Sequence, residues 1–303
     1  MPLCWPTIVR LSQRLLLNNP TDFHHKRGCV RQRMQPFFVG ISNSIYLTLQ
    51  GHPILFMKQN EAVIETLKKL GGVATLGQLN QEVFKIDTCE WKTKTPFASI
   101  RRIVQLSPDI YKIKPGLYAL KEMQTQLEEN GIVVETPQNM ESKAMQDFNH
   151  SYYQGLLLEI GNMKLMATFA PDQDKNKRYS NSTLGAIRTL NQLPPYTYPE
   201  KVKRSSTIDV IWFNERKMPH SFFEVEHSTS FQNSLGKYED LQDFHVRMVI
   251  VSDKKRKAEF ETILSQTSFK DLSREHRVDF LDYDKLILQY NQAIQRSSMD
   301  FIL

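Results

Sequence analysis

The chain has 303 residues, 40% hydrophobic and 24% charged, with a formal net charge of +6, enough apolar content to bury the cores of one large and one small domain. It contains no apolar run of about 18 residues, which excludes a helical membrane span. Its three cysteines, Cys4, Cys29 and Cys89, lack the paired spacing of a disulfide framework or zinc knuckle, so a soluble protein of the reducing cytoplasm is expected. Most of the net charge sits in residues 1–56, where Arg10, Arg14, Lys26, Arg27, Arg31 and Arg33 face only Asp22. The remainder is almost neutral, so an argument for a nucleic-acid partner has to rest on local patches.

Residues 1–56 show no steady periodicity and mix Trp5, Phe37 and Phe38 with His24-His25-Lys26-Arg27. The segment is Arg-rich and acid-poor, as a mitochondrial presequence is, but lacks the amphipathic, Ser-rich character of one. Patterned sequence opens at Met57, which is the expected functional start. The extension is set outside the fold.

Residues 57–122 read as three helices and a hairpin. Asn60 is placed to cap a helix carrying Val63, Ile64, Leu67 and Leu70, which Gly71-Gly72 ends. Thr75 with Gln78 is a capping-box pattern opening a second helix with Leu76, Leu79, Val83 and Phe84. Thr95-Pro96 opens a third, running through Ile100, Ile103 and Val104 to Leu106. Ile110–Lys114, a Pro115-Gly116 turn and Leu117–Leu120 form the hairpin. Strict alternation would put Lys112 and Lys114 together on one strand face.

The stretch from Thr95-Pro96-Phe97-Ala98-Ser99-Ile100 to Pro115-Gly116-Leu117-Tyr118-Ala119-Leu120 resembles the HARE-type winged-helix family. The resemblance implies contact with double-stranded DNA through the third helix. Arg101 and Arg102 lie on that helix, Lys92 and Lys94 just before it, and Lys112 and Lys114 on the wing. Basic groups there would neutralise phosphates and position the module more than they would select sequence. Winged helices also serve as protein-interaction modules, and that alternative stays open.

Residues 123–144 are a polar connector interrupted by Ile132-Val133-Val134. Residues 145–303 then alternate helix and strand. Phe148, Tyr152, Leu156 and Ile160 have helical spacing, Lys164–Phe169 is a strand candidate, and Ser182 or Thr183 is placed to cap a short helix. Thr207–Phe213 and Phe222–His227 are strands joined by a turn with Pro219 as breaker. Helix after Ser228-Thr229-Ser230, strand Arg247–Val251, helix Lys255–Ser265, strand Val278–Tyr283 and a final helix over Leu286–Ile294 complete the order.

The chemistry-bearing residues are Asp209, Glu224 and Glu226. Asp209 stands among apolar neighbours, and an unpaired buried charge costs several kcal/mol. Glu224 and Glu226 share one strand face. Symmetric pairing about the turn would set Asp209 opposite Glu226 and diagonal to Glu224. Carboxylates converging in that way repel unless a divalent cation lies among them, and hard oxygen donors select Mg²⁺ or Mn²⁺.

Helix, strand, hairpin with Asp…Glu-x-Glu, helix and strand, over residues 148–255, resembles the PD-(D/E)xK restriction-endonuclease-like superfamily. Asp209 stands in the place of the motif's Asp, and Glu224-Val225-Glu226 in the place of (D/E)xK. Glu159 matches the additional acidic residue of the preceding helix, and Phe223–Ser230 looks like a subgroup of bacterial restriction-type nucleases. The resemblance implies an α/β restriction-endonuclease-like αβββαβ core behind an N-terminal winged helix, with metal-dependent hydrolysis of DNA in restriction or defence. Asp209, Glu224, Glu226 and Glu159 would hold the metal. The chain departs from the motif in lacking the proline before Asp209 and in carrying Glu226 where the motif has Lys. Lys237, in the next helix, is either a substitute for that charge or an ordinary exposed lysine. The alternative is a non-catalytic winged-helix DNA-binding regulator with an inactive nuclease-like domain, and after it a protein-interaction adaptor. A homodimer is one assembly compatible with either.

Overall fold

The computed structural model describes residues 46–47, 53–54, 56–136, 138–139 and 142–299. The basic extension at 1–56 therefore lies outside the described residues, apart from Phe56 and the paired strands β1 (Tyr46–Leu47) and β2 (Pro53–Ile54). None of the described helices is long and apolar enough to cross a membrane.

Helices α1 (Gln59–Lys69), α2 (Leu76–Glu82) and α3 (Pro96–Leu106) pack around Val63, Leu67, Leu79, Ile100 and Val104. Their edge is a three-stranded antiparallel sheet of β3 (Val73–Thr75), β5 (Leu117–Leu120) and β4 (Ile110–Lys114). The capping box at α2 forms as its sequence requires, with Gln78 N–H donating to Thr75 Oγ1 (3.1 Å) and Thr75 N–H to Gln78 Oε1 (2.9 Å). The α1 cap is Lys58 rather than Asn60, because Glu61 accepts from the Lys58 backbone N–H (3.1 Å).

After α4 (Gln124–Glu129), helix α5 (Lys143–Met163) starts at Ser142, whose hydroxyl accepts from Met145 N–H (3.2 Å). It lies across a five-stranded mixed sheet ordered β10-β9-β8-β7-β6. Strand β7 (Val210–Phe213) runs antiparallel to both its neighbours, β6 (Ala167–Phe169) and β8 (Pro219–Glu226). Strand β9 (Arg247–Ser252) runs parallel to β8, and β10 (Val278–Asp282) parallel to β9. Short helices α6 (Leu184–Ile187) and α7 (Pro199–Ser205) precede β7. Helices α8 (Phe231–Glu239), α9 (Lys257–Leu264) and α10 (Lys270–Arg274) follow β8 and β9, and α11 (Tyr283–Met299) closes the described chain.

Strand alternation divides the apolar residues between two clusters. Val210, Trp212, Phe223 and Val225 join α5 and α11, while Ile211, Phe213 and Phe222 join α8 and α9. The first cluster extends to Val73, Ile113, Leu117 and Ala119 of the small sheet and to Leu127 and Ile132 of the connector. Gly77 on α2 faces Ile294 so closely that a Cβ there would overlap its side chain, and Thr75 Oγ1 meets Tyr290 Oη at 3.1 Å. The helix-hairpin module and the α/β region thus share buried surface.

Candidate active site

The β7–β8 hairpin sets the centre of the site. Val210 pairs with Phe223 and Ile211 with Phe222, and a bulge near Phe213 absorbs one residue of the turn. That register brings Asp209, the residue before β7, beside Glu224, not opposite Glu226 as symmetric pairing would require. The Asp209 carboxylate closes the junction by accepting from Val225 N–H at 2.8 Å.

Glu224 and Glu226 lie on the β8 face covered by α8. Ser230 caps that helix, accepting from Gln232 N–H (3.3 Å), and Ser234 and Lys237, three residues apart, come to one side of it. Lys237 Nζ donates to both oxygens of Glu224 (3.0 and 2.8 Å) and to the Thr207 carbonyl (2.8 Å). Ser234 Oγ lies between Glu224 Oε2 (3.0 Å) and Glu226 Oε1, and the Thr229 hydroxyl donates to Glu226 Oε2. Both glutamates are buried.

On the opposite side α5 contributes His150, whose Nε2 is 3.4 Å from Asp209 Oδ1. The loop after β6 contributes Asp174, paired with Lys177 at 2.8 Å. Gln154, one turn beyond His150, donates to Asp174 Oδ2 (3.1 Å) and to the Asp209 carbonyl (3.2 Å). Among the described residues, His150, Asp174 and Asp209 are the group of three whose donor atoms all lie within 4.8 Å of one another. Glu224 and Glu226 are not in that group, yet all but Asp174 of these side chains line one cavity of about 570 Å³ together with Lys177 and Lys237.

The charges are unevenly settled. Burial and the neighbouring Asp209 charge push Glu224 up to about 8, against the pull of Lys237 and Ser234. Burial would also raise Asp209, but His150, Lys237 and the Val225 N–H outweigh it and hold this carboxyl below its ordinary value. For His150, burial favours the neutral ring, and Asp209 overcomes it, so its proton affinity is raised. The cavity thus holds an ionised Asp209 with cationic partners and a Glu224 that resists ionisation in the absence of further positive charge.

Three readings of the sequence are corrected. Glu159 is not at this site: nine residues from His150, about 900° of helix rotation turns it to the opposite face of α5. There it accepts from Gln78 Nε2 (3.3 Å) and from the Tyr179 and Tyr290 hydroxyls. Lys114 does not share a face with Lys112, because the β4–β5 register shifts between them. It is 2% exposed, bonded to Asn149 Oδ1 and held 4.6–5.6 Å from the Phe148, Tyr152 and Tyr153 rings. Asp209 has the register given above. Lys92, Lys94, Arg101, Arg102 and Lys112 are exposed, as solvent-facing basic groups would be. His227 packs by Tyr283, and its Nε2 stands 3.5 Å from Asn149 Nδ2.

Sequence reasoning passed over His150, Gln154 and Asp174. One signal was present: Gln146, His150 and Gln154 recur every fourth residue, a polar stripe along one side of the helix. Asp174 had none, since its loop is rich in charge throughout.

The family model for the Type II restriction enzyme NmeDI C-terminal domain matches residues 132–302, more than half of the chain. The chain belongs to this family. No curated protein and no solved structure matches it. The family match spans α5 to α11, so every residue lining the cavity falls within a restriction-enzyme domain.

Proposed function

We propose that the chain is a divalent-metal-dependent DNA endonuclease of restriction type, with a restriction-endonuclease-like core and an N-terminal winged helix that binds double-stranded DNA. The order α5, β6, β7, β8, α8, β9 supports the core, and the three helices with their hairpin support the winged helix. The observation that carries the reading is the Lys237 ammonium, seated 2.8 Å from Glu224. It supplies from α8 the positive charge that the Glu-x-Glu string lacks, and this speaks against an inactive relic.

Asp209 and Glu224 are the principal cation ligands, with Glu226 beside them. The donor chemistry fits a hard divalent ion: Glu224 is buried next to Asp209, and its raised proton affinity marks a place short of positive charge. Held by these residues, such an ion would supply water activation and a charge to offset that on the scissile phosphate. Lys237 orients Glu224 and stands ready to donate to a phosphate oxygen or to the attacking water. Ser234 and Thr229 fix Glu226. Lys92, Lys94, Arg101, Arg102 and Lys112 meet phosphates and hold the module in register on the duplex. Plasmid cleavage with Mg²⁺, Mn²⁺ or EDTA tests the reading: cutting in both metals and none in EDTA is expected, and no cutting in either metal across differently methylated plasmids would overturn it.

A further inference from the structure

The hairpin of the helix-hairpin module ends inside the α/β region. The Pro115 carbonyl accepts from Tyr152 Oη (3.3 Å), and a Cβ on Gly116 would press on Ile287 at 3.2 Å. Lys114, just before that turn, is 2% exposed and forms no ion pair with a described carboxylate. Burying an ammonium without a countercharge is costly, and an apolar side chain would fill the same space without that cost. The position calls for a role that only a donor can fill. We propose that Lys114 is a positioning residue for the cleavage cavity, starting a one-way chain of hydrogen bonds through Asn149, His227 and Tyr283 to the Glu226 carbonyl. The inference rests on the metal-dependent reading of Asp209, Glu224 and Glu226.

The direction of the chain follows from which groups can donate. An ammonium has no acceptor, so Asn149 turns its Oδ1 to Lys114 and its NH₂ to His227 Nε2, 3.5 Å away. With Nε2 accepting, the imidazole is neutral and carries its proton on Nδ1, 3.4 Å from Tyr283 Oη. Tyr283 in turn donates to the Glu226 carbonyl (3.3 Å). The rings of Phe148, Tyr152 and Tyr153 enclose the ammonium, and Tyr153 also stacks on Tyr283 with centroids 3.7 Å apart, so the box and the chain share a wall.

The chain ends where it bears on the site. His227 lines the cavity directly after Glu226, the last residue of β8, and Thr229 two residues on holds Glu226 Oε2. A ring fixed at both nitrogens therefore anchors the strand end that carries this ligand. Without Lys114 the Asn149 amide is free to turn over. Its Oδ1 then accepts from Nε2–H, Nδ1 accepts from Tyr283, and the Glu226 carbonyl is left to Ser252 and Arg256. Lys114 precedes the family-matched residues 132–302, so a residue of the preceding module completes the support of this domain's cavity.

The test is nitrogen-15 NMR of the His227 tautomer in the full chain at about pH 6.5, below the value of about 7 to which burial lowers Lys114. Single-turnover cleavage at saturating enzyme runs beside it, with folding checked by thermal melting. Wild type is expected in the Nδ1–H form and Lys114→Met in the Nε2–H form. Lys114→Met should cut about tenfold or more slowly, with DNA affinity in Ca²⁺ changed less than threefold. Tyr283→Phe, which keeps the ring stack and the Nδ1–H form, should slow cutting alike, and the double variant should lose no more than either single one. The same tautomer in wild type and Lys114→Met, a Lys114→Met rate within twofold of wild type, or additive losses would overturn the positioning role. A wild type that cuts no DNA would overturn the nuclease reading instead, and the tautomer comparison alone would then decide the chain.

Discussion

Replacing Lys237 by Met keeps the length of the side chain and removes the ammonium that bridges both Glu224 oxygens and the Thr207 carbonyl at 2.8–3.0 Å. Glu224 is 1% exposed, so water cannot take over the lost charge. Its proton affinity, already pushed up to about 8, must rise further, each added pKa unit corresponding to about 1.4 kcal/mol against the ionised form. The carboxyl can remain neutral, so folding tolerates the change, and a loss of stability of about 1–3 kcal/mol is expected from the broken hydrogen bonds. Catalysis does not tolerate it: loss of one preorganised donor at a developing charge costs about 10²–10³ in rate. Single-turnover cleavage of plasmid DNA at saturating enzyme, with DNA affinity measured in Ca²⁺ or EDTA, separates the two effects. The expected result is a rate lowered at least a hundredfold with affinity changed less than threefold. Cleavage at the wild-type rate by Lys237→Met would refute the substitute-lysine argument, as would a loss of activity that lower temperature restores in step with folding.

Other perturbations probe the rest of the molecule. Lys112→Ala should weaken binding to every DNA sequence and reduce the salt dependence by about one phosphate contact, while Lys114→Met should leave the salt dependence unchanged, because Lys114 is enclosed by aromatic rings; equal slopes for both variants would refute that placement. Glu224 binds its proton more tightly folded than unfolded, so its contribution to metal-free stability is full at low pH and is lost as pH rises from about 4.5 toward about 8; Glu224→Gln should remove this decline over that range, and an unchanged melting profile would contradict it. By the same sign, Mg²⁺ affinity should rise with pH up to about 8 with release of a proton, which calorimetry in buffers of different ionisation enthalpy would detect. Glu159→Gln should leave the cleavage rate within threefold, since that carboxylate serves the contact between α2, α5 and α11; a hundredfold loss would return it to the site.

The residues that decide local structure were legible. Thr75 with Gln78, Pro96, the Pro115-Gly116 turn and the alternating β7 and β8 segments each state their element through a cap, a fixed φ or a period. Alternation also put Glu224 and Glu226 on one face. It misplaced Lys114 because the β4–β5 register shifts between Lys112 and Lys114, and symmetry about the turn misplaced the Asp209 register by two residues because β8 begins at Pro219, which was expected to break the turn and instead pairs with Phe213. The participation of His150 and Asp174 was not legible, because it depends on how a helix and a loop dock on the hairpin. The packing of the helix-hairpin module onto α11 was hidden likewise, since Gly77 and Tyr290 show no mutual pattern until the two helices meet. Lys237 lay between these cases: its helix was foreseeable and its direction was not.

The central claim is that Asp209 holds a cation with which the chain cuts DNA, and the most direct measurement compares wild type and Asp209→Asn in Mg²⁺-dependent plasmid cleavage with thermal melting in Mg²⁺ and in EDTA. The account predicts a cleavage loss on the order of 10² or more for Asp209→Asn, with DNA binding retained and with stabilisation by Mg²⁺ seen in wild type alone. Wild-type cutting by Asp209→Asn, or equal stabilisation of both proteins by Mg²⁺, would contradict it.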